Sequence, residues 1–366
     1  MKSLLLFSLL LLSPTAYGYN AIVRGFESIR AEGMGDVRYT TGLFEENLYG
    51  NPARSTENGE NEFQFLNTTV EVGSNTFSAA SAISKSNENN LSGFAGQVGK
   101  PVSAHVQLIP AAFYKNHFWT DKWSFGVDMM VGAQALFEIS NAGFIDPMAL
   151  ITAGPTVNLA RRLLPEDRLS IGTNLHTEFR GTSGGSLGVL DFLNGTSIPT
   201  QIKGGSGMGF DLDLGATFKP HWTFLKCQYE IGGGFNNILG GSYTQLGNRI
   251  AGWNKDPLAT PRTFNFGVAA RRKDLRFFDS YQLALEFTDI GNNAWGSPYR
   301  LVHLGTEERW KFIALRAGIN QGYFTGGFGF DLKFFELNFA TYAEELGLNP
   351  GIVSDRRYAA NFGFKI

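Results

Sequence analysis

The chain has 366 residues, and its 31 Lys and Arg residues against 33 Asp and Glu residues give a formal net charge of −2. This balance argues against a nucleic-acid-binding surface. Beyond the first 18 residues the sequence has no run of about 18 apolar residues, so a helical membrane protein is excluded. Glycine (45) and phenylalanine (32) are frequent and charged residues make up only 17%, which is typical of the curved strands and aromatic belts of a transmembrane β-barrel.

The N-terminus has the pattern of a secretory signal peptide over residues 1–18. Lys2 supplies the positive charge, Leu4 to Leu12 supply the apolar stretch, and Ala16-Tyr17-Gly18 supplies a small-x-small cleavage site. The apolar stretch is too short to span a bilayer as a helix, which takes about 20 residues. We expect the mature chain to begin near Tyr19; the alternative is a retained N-terminal anchor.

Residues 19–61 do not have the pattern of a strand, because glycine and charged residues interrupt any alternation. Leu43 to Tyr49 predicts one or two turns of helix. A segment of this length before the first strand either plugs the lumen of a barrel or hangs in the periplasm, and we predict an N-terminal hatch here.

From residue 62 onward the chain alternates between apolar and polar or small residues, the period of a strand with two different faces. The longest such run, Trp123 to Ile139, exceeds an ordinary globular strand but suits a tilted membrane strand. A β-sandwich is the alternative, with shorter strands. The pattern predicts an all-β barrel over 62–366 with fourteen strands, near 62–73, 102–114, 122–139, 147–160, 167–180, 207–219, 222–235, 262–271, 280–290, 299–309, 312–320, 323–334, 336–345 and 356–366.

The end of the chain and the connections favour a bacterial outer membrane. In the last strand, Tyr358, Phe362 and Ile366 alternate with Asn361 and Lys365, so that one face is apolar up to the final residue. Connections alternate between long ones and short ones such as Pro220-His221, as expected for outer loops and periplasmic turns. We expect a monomer surrounded by outer-membrane lipid.

The predicted hatch carries a family likeness. Gly33-Met34-Gly35, the helix-like stretch that follows, and Asn51-Pro52-Ala53 resemble the hatch of the long-chain fatty-acid (FadL-type) transporters of the outer membrane and of their broader relatives. Those relatives include barrels associated with conjugation and barrels that act as secretion scaffolds. The resemblance implies a fourteen-stranded barrel with a luminal N-terminal hatch. Glu45-Glu46 departs from the family pattern, in which Asp with small residues is common.

Within this hatch, Gly33, Gly35, Asn51, Pro52 and Ala53 are the candidate gate residues. Pro52 fixes its backbone angle and Asn51 bonds to neighbouring backbone, so the pair predicts a rigid turn packed inside the barrel. Such a turn serves either as a gate that shifts when ligand binds or as a structural anchor.

Two arginines and two outer loops are candidates for binding a ligand. Arg180 and Arg316 face the predicted lumen and suit the carboxylate of a fatty acid; the alternative is that luminal charges pair with one another across hatch and wall. Leu190 and Phe192 in one loop and Trp253 in another predict an apolar landing site for a hydrophobic ligand or, alternatively, a lid packed on its neighbours.

Pro110 and Pro155 fall inside predicted strands, where each removes a ladder hydrogen bond. We predict a wall kink at each, which opens a lateral exit into the bilayer or is a bulge without a role in transport.

The five histidines lack the spacing of a metal site, and the glycine-rich stretch before 209 leads into a strand and not a helix, so a phosphate-binding loop is not expected. We therefore expect no enzyme, no metal, no cofactor and no nucleic-acid partner. The predicted function is passage of hydrophobic solutes such as long-chain fatty acids by ligand-gated diffusion. The alternative is a barrel without transport activity that serves as a scaffold or surface-contact protein.

Overall fold

The computed structural model of the protein describes residues 25–59, 61–85, 95–139, 143–189, 203–241, 243–244, 256–273, 275, 277–292, 296–347 and 349–366. The predicted signal peptide, residues 1–18, lies outside these described residues. Within them, no helix is long and apolar enough to cross a membrane.

Fourteen strands of at least eight residues make up the wall in the described part of the chain. They are β1 (Glu62–Gly73), β2 (Val102–Asn116), β3 (Trp123–Ile139), β4 (Phe144–Arg162), β5 (Leu169–Gly184), β6 (Lys203–Phe218), β7 (Gln228–Asn236), β8 (Thr263–Lys273), β9 (Ser280–Ile290), β10 (Val302–Trp310), β11 (Ile313–Asn320), β12 (Tyr323–Leu332), β13 (Phe335–Glu345) and β14 (Ser354–Lys365).

Each strand pairs antiparallel with its neighbours in sequence, and β14 returns to pair with β1, so the sheet closes on itself. The closing pair sets Val70 opposite Ala360. Two additional strands of two residues, Leu187–Gly188 and Tyr243–Thr244, pair with the outer ends of β4 and β6 and do not belong to the ring. The predicted all-β class and fourteen-strand barrel are confirmed.

The strand boundaries agree with the prediction to within a few residues except at β7. That strand was expected from residue 222 but begins at Gln228, so the turn expected at Pro220-His221 is much longer. Leu225 and Lys226 have backbone φ angles of 53° and 60°, which extended strands do not adopt. The apolar residues Trp222, Phe224 and Leu225 of this turn, which imitated a strand in the sequence, are exposed, and Phe224 pairs within the turn, with Cys227.

The two faces of the wall differ in polarity. Outward-facing Val131, Leu285 and Phe362 are exposed, whereas inward-facing Asp128 and Glu286 are buried. An apolar face left uncovered around a closed ring is stable only in lipid, and a closed barrel satisfies every strand hydrogen bond there. The protein is therefore a barrel of the bacterial outer membrane, as the sequence predicts.

An arginine placed on this outer face tests its depth in the membrane. We expect Leu285→Arg, in the middle of β9, to lower the free energy of unfolding by about 2–4 kcal/mol, and Tyr281→Arg, near the periplasmic turn, to lower it by only about 0–1 kcal/mol. Denaturant titration of the protein folded in lipid vesicles measures both values. Equal losses would contradict a lipid-facing belt centred on Leu285.

Candidate functional site

The N-terminal segment, defined here as residues 25–58, lies against the inward faces of strands around the ring. It contains helix α1 (Ile29–Gly33), helix α2 (Glu45–Leu48) and a 3-10 turn at Pro52–Glu57. The Ser28 hydroxyl accepts a hydrogen bond from the backbone N–H of Ala31 and so caps α1. Nearly all residues of the segment are buried, so the wall surrounds the segment and the segment packs against the wall.

The predicted gate glycines lie where the segment approaches the wall most closely. A Cβ atom on Gly33 would be 2.9 Å from the Cα atom of Gly327 in β12. Gly35 has a φ of +73°, and a Cβ atom there would be 2.4 Å from the carbonyl oxygen of Leu304 in β10. Backbone therefore packs directly on backbone, and only glycine fits at both positions.

The Asn51-Pro52-Ala53 motif lies against β4, β5 and β6. The Asn51 amide donates to the carbonyl oxygen of Tyr39 at 2.9 Å and to that of Ala216 in β6 at 3.1 Å. Its oxygen accepts from the N–H of Ala53 at 3.1 Å, which caps the 3-10 turn. The motif thus joins the N-terminal segment to itself and to the wall.

Buried ion pairs connect the segment to the opposite half of the wall. Arg30 lies 3.1 Å from Glu307 of β10 and 2.8 Å from Glu46. Glu307 also forms ion pairs with Arg316 at 2.6 Å and with Arg309 at 2.9 Å. The predicted ligand residue Arg316 therefore belongs to this cluster, which we call the Glu307 cluster.

Two further wall carboxylates hold the segment. Glu230 of β7 pairs with Arg54, and with Arg271 at 2.7 Å. Glu286 of β9 accepts from the backbone N–H groups of residues 38, 39 and 40 at 2.7–3.0 Å and from the Thr40 hydroxyl at 2.6 Å. The alternation of β9 places Glu286 among the luminal charges expected to join hatch and wall, but no residue pattern around it identified the backbone N–H groups of residues 38–40 as its partners.

An outer cavity of about 130 Å³ lies between the segment and the outer ends of the strands. Arg180, a predicted ligand residue, lines it and donates to Glu178 at 2.9 Å. The guanidinium also lies 5.0 Å from the centre of the Tyr243 ring. Arg180 is thus engaged with a carboxylate of its own strand.

The floor of the outer cavity is aromatic. Phe26 and Tyr49 stack with ring centres 4.4 Å apart, and both line the cavity. The Tyr49 hydroxyl donates to Asp128 of β3 at 2.9 Å and accepts from Thr156 of β4 at 3.2 Å. Two wall strands therefore orient the Tyr49 ring on which Phe26 rests.

His176 extends this network along β5. Its Nδ1 atom lies 3.1 Å from the Thr156 hydroxyl, and its Nε2 atom lies 2.6 Å from Asp213 of β6. The sequence gives no sign of this contact, because the partners of His176 come from two other strands.

A smaller inner cavity of about 40 Å³ lies on the periplasmic side of the segment, among residues such as Glu336 and Lys365. Phe26 lines this cavity as well as the outer one. Glu45 also lines it, and burial, with the neighbouring carboxylates of Glu336 and Glu46, raises the pKa of Glu45 well above its usual range.

The wall is irregular next to the aromatic floor. At Pro110 the pairing of β2 with β3 shifts by one residue between Leu108 and Ala111. In the adjacent β1, Leu66 has a φ of 54° and the pairing with β14 shifts as well. At Pro155 the register between β4 and β5 is kept.

An apolar cluster lies on the luminal side of the Pro110 bulge. It joins Phe26 and Leu48 of the segment to wall residues, with Phe44 and Tyr49 packed at its edge. The wall members are Ile109, Ala112, Tyr114 and Met130. The segment therefore meets β2 and β3 through this apolar cluster, together with hydrogen bonds from Tyr49 to Asp128 and between the Glu27 backbone and the Gln107 amide.

The predicted loop residues Leu190, Phe192 and Trp253 lie outside the described residues. Their described neighbours Leu187 and Val189 are buried against Ile139 and Ile145. Among the described residues, no group of three or more His, Cys, Asp or Glu side chains is placed to hold a metal ion.

Comparison with protein-family models and with curated proteins finds no match to this sequence. Among solved structures, the toluene transporter TbuX of Ralstonia pickettii is similar over 92% of this chain and 96% of its own, at 11% identity and a TM-score of 0.50. The deltaS2S3 mutant of the monoaromatic hydrocarbon channel TodX is similar over 93% of this chain and 98% of its own, at 13% identity and a TM-score of 0.52. The chain has the same fold as these two proteins.

Removing the Glu286 carboxylate tests how the segment is held. We expect Glu286→Ala to weaken its docking by about 3 kcal/mol or more, since several buried donors lose their acceptor and each loss costs about 1–3 kcal/mol. The rate of trypsin cleavage after Arg38 measures release of the segment, and circular dichroism checks that the barrel remains folded. Glu308→Ala, an outward-facing glutamate one strand away, is the control. Unchanged protection of Arg38 in Glu286→Ala would contradict the role of this carboxylate.

Proposed function

We propose that the protein passes hydrophobic solutes across the outer membrane by gated diffusion and that the N-terminal segment is the gate, or hatch. The observation that carries this proposal is Phe26, a residue that lines both the outer and the inner cavity. We expect displacement of its side chain to join the two cavities. The names of the two proteins with the same fold, a toluene transporter and a monoaromatic hydrocarbon channel, support a hydrophobic cargo.

The contacts around Phe26 suit a part that moves. Its ring is held by stacking on Tyr49 and by the apolar cluster, not by ion pairs. Apolar contacts are non-directional, so a hydrophobic solute entering from the outer cavity replaces them with contacts of the same kind. Ligand entry and gate opening are thereby coupled.

Two exits lead onward from this point. The inner cavity is lined by polar and charged residues such as Glu336 and Lys365, so it suits release of water-soluble molecules into the periplasm. The Pro110 bulge lies directly behind the apolar cluster and suits release of a hydrophobic solute sideways into the bilayer. For the proposed cargo we favour the lateral exit at Pro110.

A more specific form of this proposal is that the solute is a long-chain fatty acid. Its carboxylate would have to exchange with Glu178 at Arg180, or with Glu307 at Arg316, because both guanidinium groups are paired with these residues. The exchange at Arg180 is the more accessible one, since Glu178 is partly exposed and Glu307 is not.

The alternative function, a closed scaffold barrel, has one specific observation in its favour. Arg30 and Arg54 fix the segment to the wall through buried ion pairs, and breaking such a pair costs about 3–5 kcal/mol. A segment that never moves would leave its loops as the functional surface. Transport measurements on gate variants distinguish the two functions.

Truncation of the gate ring tests the proposal. We expect Phe26→Ala to raise the rate at which toluene and other small solutes enter proteoliposomes by roughly tenfold, since a barrier of about 1.4 kcal/mol corresponds to that factor. Phe63→Ala, on the lipid-facing side, is the control. If neither wild type nor Phe26→Ala passes any solute faster than empty liposomes do, the scaffold function is correct.

Repair of the wall tests the lateral exit. Pro110→Ala restores a backbone N–H group that can rejoin the ladder of β2. We expect release of toluene to fall severalfold, while leakage of a small sugar through the lumen stays unchanged. An equal change for both solutes would contradict a separate path at Pro110.

A further inference from the structure

We propose that the outer cavity selects single-ring aromatic solutes that carry an uncharged hydrogen-bond donor, such as phenols, and rejects aromatic carboxylates. This inference rests on the proposed passage of hydrophobic solutes and specifies their class. It follows from the size of the cavity, its aromatic floor and the balance of charge on its walls.

The size of the cavity limits the solute to about one ring. Its volume is about 130 Å³, close to the roughly 150 Å³ of an apolar protein cavity that accommodates benzene. A long alkyl chain fills several times this space. The enclosed part of the site therefore suits a compact molecule.

The floor of the cavity suits an aromatic molecule. The stacked pair of Phe26 and Tyr49 presents ring surface, and Met130 lies beside it with a thioether that packs well on ring edges. A solute ring placed here extends the existing stack. Because Phe26 is the proposed gate ring, binding would act directly on the gate.

The charged groups on the walls make the cavity unfavourable for an anion. Four carboxylates and two guanidinium groups line it, and His176 lies 2.6 Å from Asp213, so the formal charge is −2 with a neutral His176 and −1 with a protonated one, negative in both cases. The carboxylates belong to Glu178, Asp211, Asp213 and Asp289, and the guanidinium groups belong to Arg38 and Arg180. Because Asp211 and Asp213 are buried, this excess repels a carboxylate and attracts the positive end of an O–H or N–H bond.

The hydrogen bonds within the cavity lead to the same selectivity. Arg180 donates its Nε to Glu178 and its Nη1 to the carbonyl oxygen of Leu258, so a carboxylate would have to compete with Glu178 for it. Glu178 itself accepts from Arg180 and from the Tyr243 hydroxyl at 3.2 Å. A carboxylate offers about four lone-pair positions, which leaves room for one more donor from a solute.

Equilibrium dialysis of the detergent-solubilised protein against p-cresol, toluene and benzoate at neutral pH tests this. We expect p-cresol to bind about tenfold tighter than benzoate, the effect of one hydrogen bond to a charged group, and tighter than toluene. Tightest binding of toluene, or equal binding of benzoate and p-cresol, would overturn the selectivity and leave hydrophobic passage intact. Absence of binding by all three, together with no passage into proteoliposomes, would overturn the proposed function too.

The variant Glu178→Gln gives an independent measurement. It removes one negative charge and the ionic partner of Arg180, so we expect benzoate binding to rise by roughly tenfold with little change for toluene. Glu308→Gln, on the outward face, should leave all three affinities unchanged. An unchanged benzoate affinity in folded Glu178→Gln would contradict the proposed role of wall charge; should this variant not fold, the wild-type comparison decides alone.

Discussion

The structure depends on the requirement that backbone polar groups in a membrane find their partners within the protein. Fourteen strands meet it by closing into a ring, in which β14 pairs with β1. Closure separates a lumen from the lipid. The inward faces of the strands carry the charged and polar groups that lipid excludes, and these groups need partners in the lumen. The N-terminal segment completes this interior by supplying hydrogen-bond and ionic partners to those faces.

The segment is held differently on its two sides. Toward β7, β9 and β10 it is fixed by Glu230, Glu286 and the Glu307 cluster, where geometry is specific and loss of one partner leaves a buried charge. Toward β2 and β3 it is held by the apolar cluster around Phe26 and by hydrogen bonds of the Glu27 backbone to Gln107 and of Tyr49 to Asp128. The Phe26 ring itself packs on apolar neighbours, and apolar contacts are non-directional. This difference favours local movement of the Phe26 ring over release of the whole segment.

The wall is also irregular on the side of the apolar cluster. The bulge at Pro110 and the positive φ at Leu66 interrupt pairing in neighbouring strands, and each interruption costs hydrogen bonding that lipid does not replace. Such defects are tolerated where protein packs behind them, and here the apolar cluster does so. The apolar packing and the wall defect thus occupy one sector of the barrel, which is the physical basis for the proposed gate and the proposed lateral exit.

The sequence by itself determined the architecture. Alternation with period two determines which face of each strand is apolar. Because this pattern is local, the sequence predicts the fourteen strands and which face of each one points to lipid. It was wrong at residues 222–227, where apolar residues imitate a strand but two positive φ angles form a turn. The Asn51-Pro52 turn was also predictable, because its chemistry resides in adjacent residues. Arg180 and Glu178 are two residues apart on one strand, and their pairing is local. Only the tertiary structure decided the stacking of Phe26 on Tyr49 and the pairing of His176 with Asp213. These partners lie far apart in the sequence, so folding, and not spacing along the chain, sets the distances between them.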